Sequence, residues 1–282
     1  MQKIDAIIPF YEGDKVLKLG QGTWNMGRNL LKRREEIDAL RCGIDLGMSA
    51  IDTAEMYKNE QFIGETVKGI REKVFIISKV LPSNASRENT LKACEHSLQR
   101  LNTDYIDLYL LHWKGKYPFY ETIEAMDRLV QDGKIRMWGV SNIDMPDMEE
   151  IDTLPCSGIC AANQVLYNLT ERNVEYDLIP WGQENAMPII AYSPINEGKL
   201  LNFAVLQEIA NRHNATPAQI ALAWTIRLPW VMAIPKAGTV KHVQENFGSL
   251  DIKLSKEDLE LLDLIFPPPT LKTFSLKQET IS

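Results

Sequence analysis

The sequence predicts an α/β protein that forms a single (β/α)8 TIM barrel over residues 1–282, with an N-terminal β-hairpin and two additional helices near the C-terminus. Eight short aliphatic runs alternate with segments of helical spacing. Several of these runs are almost continuously apolar, which is typical of parallel strands covered on both faces. No Gly/Ser-rich linker or change of composition divides the 282 residues, which favours one barrel domain.

The predicted strands begin after a hairpin from Ile7 to Leu17, whose turn is Glu12-Gly13-Asp14. The barrel strands are predicted at Leu17–Gly20, Ser49–Ile51, Val74–Ser78, Tyr105–Leu111, Ile135–Val140, Ala161–Val165, Met187–Ala191 and Trp230–Ile234. The spacing between these strands leaves room for a helix in each connection, as a parallel sheet requires.

Apolar residues at helical spacing mark the connections. The spaced sets are Ile37, Leu40 and Ile44; Phe62, Ile63 and Val67; Leu91, Cys94 and Leu98; Ile123, Met126 and Val130; and Phe203, Leu206 and Ala210. Helix starts are predicted at Ser86, at Thr216 with Pro217 and at Ser255. Weaker helices are predicted at Met145–Leu154 and Asn173–Ala186.

The C-terminal part of the chain predicts the two additional helices. They lie at Thr239–Leu250 and Ser255–Phe266, and three consecutive prolines follow the second. The tail from Thr270 to Ser282 is predicted to be a loop.

Composition and charge are typical of an ordinary soluble globular protein. The chain is 45% hydrophobic and 24% charged, with a formal net charge of −7. The basic cluster Lys32-Arg33-Arg34 runs into two glutamates and is interpreted as a solvated helix start, so nucleic acid is not expected as a partner. Neither a membrane-spanning run nor a secretory signal is evident, so we expect no membrane partner and a cytoplasmic location.

The four cysteines predict buried reduced thiols and no metal site. Cys42 and Cys94 stand alone, and Cys94 lies on an apolar helical face. Cys156 and Cys160 are spaced like zinc ligands, but no second pair or nearby histidine completes a tetrahedral site. We therefore interpret Cys156 and Cys160 as reduced thiols and not as zinc ligands.

Ionisable residues stand at the ends of three successive predicted strands. Asp52 and Tyr57 follow the second strand, Lys79 the third and His112 the fourth. Each of these residues alone could have only a capping, packing or surface role. The carboxyl ends of barrel strands lie on one face, however, so the four side chains are expected to lie close together. There, Lys79 could stabilise the phenolate of Tyr57, whose reference pKa of about 10 otherwise makes it a poor acid. Asp52 would keep Lys79 charged, and His112 could orient a substrate oxygen.

The order of these and other motifs resembles the aldo-keto reductases over nearly the whole chain. The motifs are Leu19-Gly20-Gln21-Gly22-Thr23-Trp24, Ile51-Asp52-Thr53-Ala54 with Tyr57, Ser78-Lys79, Leu111-His112-Trp113, Gly139-Val140-Ser141-Asn142, Asn163-Gln164, Ala191-Tyr192-Ser193-Pro194 and Ile234-Pro235-Lys236. The resemblance implies a catalytic tetrad of Asp52, Tyr57, Lys79 and His112, with Tyr57 as the general acid for carbonyl reduction. It also implies a nicotinamide cofactor bound without a Rossmann domain, and the glycine fingerprint of that domain is indeed missing.

The resemblance implies a set of cofactor contacts as well. Ser141, Asn142 and Gln164 would hydrogen-bond the nicotinamide amide, whose ring would stack on Tyr192. Lys236 would meet the 2′-phosphate of NADPH. The full expected set is Gly22, Thr23, Trp24, Asp52, Ser141, Asn142, Gln164, Tyr192, Ser193, Pro194, Lys236, Thr239, His242, Glu245 and Asn246.

His242 departs from the family pattern. Many members carry an arginine against the 2′-phosphate, whereas a histidine is mostly neutral at its reference pKa and makes no bidentate fork. We expect NADPH as the cofactor, with NADH possible.

The expected substrate is a small carbonyl compound. Trp24, Tyr57, His112 and Trp113 would form the carbonyl pocket, and Phe274 is the one aromatic candidate in the tail. The resemblance to bacterial members with an Ile-Pro-Lys-Ala-Gly motif implies a small aldehyde such as methylglyoxal. We expect a monomer or weak oligomer.

Two other functions are compatible with a barrel. An NADPH-binding regulatory or redox-sensing subunit with little turnover could keep the tetrad. A barrel hydrolase would require a cluster of metal-ligating histidines and aspartates, and of four histidines only His112 stands at a predicted strand end.

Overall fold

A short antiparallel hairpin precedes the barrel in the computed structural model, which describes residues 6–10, 13, 15–155 and 158–271. Its strands are β1 (Ile7–Pro9) and β2 (Lys15–Leu17). Ile8 and Val16 are paired and buried, and they join the cluster of side chains that fills the barrel interior. The predicted hairpin is therefore present, and it covers one end of the barrel; Glu12 and Asp14 of its turn lie outside the described residues.

Eight parallel strands form the barrel in the order of the sequence. They are β3 (Gln21–Gly22), β4 (Ala50–Asp52), β5 (Phe75–Val80), β6 (Ile106–Leu111), β7 (Ile135–Ser141), β8 (Asn163–Leu166), β9 (Ile189–Tyr192) and β10 (Val231–Ala233). Parallel bridges from Leu19 to Ala233 and from Gly22 to Lys236 join the first strand to the last. The predicted (β/α)8 architecture is confirmed.

Burial on both faces explains the continuous apolar runs. All six residues of β6 are buried. Leu108 and Leu110 belong to the interior cluster, whereas Tyr109 and Leu111 belong to the layer between strands and helices. Because successive side chains of a strand point to opposite faces, both sets are largely apolar. The exception, Asp107, is buried in an ion pair with Arg71 at 2.6 Å.

The first barrel strand differs from the prediction of Leu17–Gly20. Leu17 ends the hairpin, and the barrel strand lies further along at Gln21–Gly22. Only a glycine fits at position 22. A Cβ there would lie 2.6 Å from the carbonyl oxygen of Ile234, which is too close for a side-chain carbon. The Gln21 side chain is buried but donates to the carbonyl oxygens of Leu40 and Met48, so a polar residue continues the strand.

Helices surround the sheet. They are α1 (Arg33–Asp45), α2 (Glu60–Val67), α3 (Arg87–Leu101), α4 (Phe119–Gln131), α5 (Met145–Asp152), α6 (Leu178–Glu184), α7 (Ala204–Arg212), α8 (Pro217–Thr225), α9 (Val240–Gly248) and α10 (Lys256–Ile265). The predicted starts at Ser86, Thr216 and Ser255 are N-caps, each accepting a backbone N–H three residues on. The predicted C-terminal helices are present as α9 and α10, and α9 lies against α1.

The helix predicted at Asn173–Ala186 is shorter in the structure. A 3₁₀ turn covers Asn173–Glu175, and α6 begins only at Leu178. Pro180 stands in the first turn of α6, where its missing N–H costs nothing; any earlier start would place it inside the helix. The tail beyond Leu271, including Phe274, lies outside the described residues.

The cysteines fit the predicted role as far as the structure describes them. Cys94 and Cys160 are buried and Cys42 is partly buried, and Cys42 and Cys94 are free thiols. Burial raises the pKa of the Cys94 thiol to about 12, so it is not a nucleophile near neutral pH. Cys156 lies outside the described residues, within which no group of three metal-ligating side chains is found. No helix in the described ranges is long and apolar enough to span a membrane.

Candidate active site

The carboxyl ends of three neighbouring strands bring the predicted tetrad together. Asp52 is the last residue of β4, Lys79 lies near the end of β5, and His112 directly follows β6. Tyr57 ends a 3₁₀ turn, Glu55–Tyr57, in the loop after β4. Because β4, β5 and β6 are parallel neighbours, their ends meet on one face of the barrel.

Asp52 and Lys79 form a buried ion pair. The Lys79 Nζ donates to both carboxylate oxygens of Asp52, at 2.8 and 2.7 Å, and to the carbonyl oxygen of Thr53 at 2.8 Å. The side chain of Lys79 is fully buried and that of Asp52 is 3% exposed. Gln164 on β8 donates a further bond of 2.7 Å to Asp52. All three N–H groups of the ammonium can thus be satisfied inside the barrel mouth.

Burial acts against both charges of this pair. It raises the pKa of the Asp52 carboxyl and lowers the pKa of the Lys79 ammonium. The mutual attraction and the bonds between the two groups oppose each shift. Each residue therefore depends on the other to remain charged.

Tyr57 places its hydroxyl beside the ammonium of Lys79. The distance from Nζ to the phenol oxygen is 3.4 Å, and Nζ lies 4.8 Å from the centre of the tyrosine ring. The ring of Trp24 packs edge-on against Tyr57 at 4.7 Å between centres. A cation at this distance favours the phenolate and so makes the phenol a better proton donor.

His112 is held as a neutral ring. Burial first, and the nearby Lys79 ammonium second, lower the pKa of His112 to about 2. Its Nδ1 is buried without a hydrogen-bond partner among the described residues. A charged imidazolium would leave that N–H unpaired, whereas a neutral ring can bury an unprotonated nitrogen at lower cost.

The low pKa of His112 predicts a pH-dependent stability. The unfolded chain binds a proton at this residue below about pH 6.5, and the folded protein does so only near pH 2. Stability is therefore lost as the pH falls below about 6.5, by up to about 1.4 kcal/mol per pH unit from this group. In urea unfolding at pH 7 and pH 5, His112→Gln should lose about 2 kcal/mol less than the wild type on acidification.

His96 on α3 offers a matched control because its side chain is exposed. His96→Gln should follow the wild-type pH dependence. An equal loss of stability in His112→Gln and His96→Gln would contradict the depressed pKa of His112.

The loop that carries Tyr57 is fixed by Asn59, which the sequence analysis did not identify. Its side chain is 3% exposed and accepts a bond of 2.7 Å from the Thr53 hydroxyl. It also donates to the carbonyl oxygens of Thr23 and Met26, at 2.8 and 3.3 Å. Asn59 thereby joins the loop of Tyr57 to the loop of Trp24.

Asn59→Ala is expected to lower the free energy of unfolding by about 2–3 kcal/mol, because it removes the acceptor of the buried Thr53 hydroxyl and the amide donor to the carbonyl oxygens of Thr23 and Met26. Urea denaturation monitored by tryptophan fluorescence would measure the change. Asn202→Ala, at an exposed position, should change the stability by less than about 0.5 kcal/mol. A loss of similar size in both variants would argue against the role of Asn59.

A second anchor of the same loop is Glu55. Its carboxylate accepts from the backbone N–H of Leu81 and from Asn84 at 3.2 Å. Leu81 lies two residues after Lys79, so Glu55 fixes the turn of Tyr57 relative to the strand of the lysine.

A cavity of about 510 Å³ opens over Asp52, Tyr57 and His112. Its walls are Gly22, Thr23, Trp24, Asn25, Asp52, Tyr57, His112, Ser141, Asn142, Gln164, Tyr192, Ser193, Pro194, Ile195, Glu197, Gly198, Pro235 and Lys236. This volume lies in the usual range of small-molecule sites. Most of the predicted cofactor residues are therefore on one surface.

Amide and hydroxyl groups line the side of the cavity near β7, β8 and β9. The Asn142 amide donates to the His112 carbonyl oxygen at 3.2 Å and accepts from the Tyr192 hydroxyl at 3.0 Å. Ser141 adjoins Asn142, and Gln164 bonds Asp52 through its amide nitrogen. No group in the described ranges donates to the amide oxygen of Gln164, which is thus available to a ligand with an N–H, such as a carboxamide.

A second cavity of about 320 Å³ continues from the first, and Asn25 and Lys236 belong to the walls of both. Its walls are Asn25, Arg28, Asn29, Lys32, Glu35, Glu36, Lys236, Gly238, Thr239 and His242. Lys32, which the sequence analysis assigned to a solvated helix start, thus also faces a cavity. Together the cavities offer an extended site with amides at one end and cations at the other.

Four predicted residues line neither cavity, and one of them is Lys79, whose side chain is fully buried. Glu245 and Asn246 lie on α9 but line neither cavity, and Glu245 is 3.8 Å from Lys241. Trp113 packs against His112 with ring centres 4.7 Å apart, and does not line the main cavity. Loop residues such as Arg28 and Glu197 line the cavities without a local signal in the sequence, because their contacts are set by distant segments.

Comparison with known proteins identifies a family. A profile described as "Aldo/keto reductase family" matches residues 18–266. The chain is 52% identical over 272 residues to methylglyoxal reductase YeaE of Escherichia coli strain K12, covering 93% of this chain and 96% of the relative. It is 37% identical over 238 residues to glyoxal reductase of Bacillus subtilis strain 168, covering 82% and 83% respectively.

Solved structures show the same fold. The crystal structure of an aldo-keto reductase from Klebsiella pneumoniae in complex with NADPH matches with a TM-score of 0.91 and 45% identity, covering 96% of this chain and 98% of that one. A thermostable aldo-keto reductase, Tm1743, in complex with the inhibitor epalrestat matches with a TM-score of 0.86 and 39% identity, covering 92% and 99%.

Proposed function

The chain belongs to the aldo/keto reductase family, and from this membership we propose that it reduces small aldehydes such as methylglyoxal, with Tyr57 as the proton donor. The reaction class is NADPH-dependent reduction of a carbonyl group to an alcohol. The contact between Tyr57 and Lys79 is the observation that carries the assignment of the proton donor.

The described residues fit the cofactor. Gln164 and Lys236 line the first cavity, and Lys236 also lines the second, so the amides near β8 and the cations lie along connected cavities. Ser141, Asn142 and Gln164 would hold the nicotinamide amide, and Tyr192 would lie against its ring. When bound, NADPH supplies the hydride that reduces the carbonyl carbon.

The proton comes from the protein. Tyr57 donates its hydroxyl proton to the carbonyl oxygen, and the phenolate that remains is stabilised by the Lys79 ammonium at 3.4 Å. Asp52 keeps that ammonium charged inside the barrel mouth. His112 is neutral and uses a ring N–H to orient the substrate oxygen, so it need not change protonation state during the reaction.

Methylglyoxal as the substrate is supported by two observations. The relative with 52% identity is a methylglyoxal reductase. Trp24 and Tyr57 form an aromatic wall at the opening of the cavity, against which the flat face of a small dicarbonyl compound could pack.

The test is a panel of aldehydes and ketones followed at the absorbance of NADPH and repeated with NADH. We expect methylglyoxal to be reduced with a higher kcat/KM than larger aldehydes and NADPH to be preferred. NADPH binding, seen as tryptophan fluorescence quenching, without oxidation by any member of the panel would instead indicate a regulatory subunit.

We also propose that residues 1–282 form one domain that acts as a monomer or weak oligomer in the cytoplasm. The cytoplasmic location is supported by the free thiols of Cys42 and Cys94. Size-exclusion chromatography with light scattering would measure the oligomeric state.

A further inference from the structure

The second cavity carries more positive charge than the residues inferred from the sequence provide. Lys236 and His242 contribute to its wall from the segment around the start of α9. Arg28 and Lys32 contribute from the segment between β3 and α1. Since His242 carries no permanent charge, two of the three permanent cations come from this loop.

Two carboxylates also line the second cavity and offset part of its positive charge. Glu36 is buried, and its carboxylate accepts the backbone N–H of Gly27 at 2.8 Å. Glu35 is exposed. Without Arg28 and Lys32, the single cation Lys236 would face two carboxylates, an arrangement that would repel a phosphate group.

Arg28 and Lys32 differ from the two arginines that follow them in the sequence, which are held in ion pairs. Arg33 pairs with Glu65 at 2.5 Å, and Arg34 pairs with Asp38 at 3.2 Å. Neither of the latter two arginines lines the cavity. Arg28 and Lys32 line it and form no ion pair with any residue in the described ranges.

Arg28 is also oriented by an aromatic ring. Its guanidinium carbon lies 5.5 Å from the centre of the Trp24 ring, which restrains the side chain beside the opening of the catalytic cavity. A planar guanidinium there can bind a phosphate through two parallel hydrogen bonds, which the imidazole of His242 cannot do.

We propose that Arg28 and Lys32 bind the 2′-phosphate of NADPH together with Lys236, and that they set the preference for NADPH over NADH in place of an arginine at position 242. This inference rests on the cofactor in the proposed function. The ligand class is an adenosine 2′-phosphate monoester, which carries close to two negative charges at neutral pH.

The test measures binding, without turnover. Isothermal titration calorimetry would compare 2′,5′-ADP with 5′-ADP, which lacks the 2′-phosphate, on the full chain. In the double variant Arg28→Ala/Lys32→Ala we expect the Kd for 2′,5′-ADP to rise roughly tenfold or more, and the Kd for 5′-ADP to change less than about twofold.

Arg34→Ala/Lys92→Ala is the matched control, because it removes the same charges from exposed ion pairs outside the cavity. It should bind both ligands like the wild type. The variant Arg28→Lys/Lys32→Arg keeps both charges but moves the bidentate group away from position 28, so its loss of affinity for 2′,5′-ADP should be smaller than that of the alanine double variant.

Either of two results would overturn the inference alone: an alanine double variant that binds 2′,5′-ADP as the control does, or one that loses both ligands equally. A wild-type protein that binds 2′,5′-ADP no better than 5′-ADP would overturn the NADPH assignment, and this inference with it.

Discussion

Replacing Tyr57 with phenylalanine is expected to lower kcat/KM for methylglyoxal reduction by about 10²–10⁴-fold, the usual contribution of a general acid. The ring and its contacts with Trp24 and Lys79 are retained, and only the hydroxyl at 3.4 Å from the Lys79 ammonium is lost. The Kd for NADPH, measured by tryptophan fluorescence quenching, should stay within about twofold of the wild type, because the change removes transition-state stabilisation and little cofactor binding.

Tyr120→Phe provides the matched control, since Tyr120 on α4 is 47% exposed and lines neither cavity. It should leave kcat/KM unchanged. Turnover close to wild type in Tyr57→Phe would exclude Tyr57 as the proton donor, whereas a parallel loss of NADPH binding would show that the substitution had disturbed the site.

Replacing Lys79 with methionine is expected to abolish reduction and to lower the free energy of unfolding by about 3–5 kcal/mol, because the Asp52 carboxylate stays buried without its cation. Asp52 would keep only its bond from Gln164 among the contacts that now stabilise its charge. Guanidinium denaturation gives the stability, and NADPH oxidation gives the activity.

The double variant Asp52→Asn/Lys79→Met separates the two effects. With both charges removed, most of the lost stability should return, but activity should not, because Tyr57 still lacks a neighbouring cation. A double variant as unstable as Lys79→Met would show that packing, and not the unpaired charge, explains the loss.

Acidification provides a further test of the same substitution. In Lys79→Met, burial is no longer opposed by the ammonium, so the pKa of Asp52 should rise further above its unfolded value. The folded state then binds a proton that the unfolded state lacks, so this group adds stability as the pH falls. The stability difference between Lys79→Met and the wild type should therefore shrink between pH 7 and pH 5.

The sequence by itself determined the barrel and the members of the tetrad. The nearly continuous apolar runs, such as the one that forms β6, follow from burial on both faces of a parallel sheet, which leaves a local pattern. Asp52, Lys79 and His112 stand at the ends of such runs, and a barrel brings those ends to one face whatever the details of its loops. The order of the motifs also indicated the family, and the family in turn implied the cofactor.

Only the tertiary structure decided how the loops complete the site. Asn59 joins the loops of Tyr57 and Trp24 through bonds spanning 6 to 36 positions of the sequence, and Arg28 and Lys32 share a cavity with Lys236, about 200 residues away. The depressed pKa of His112 depends on burial and on Lys79, neither of which its neighbours in the chain reveal. Strand and helix periodicity is a local property, whereas loop contacts, burial and ion pairing depend on residues that only the folded chain brings together.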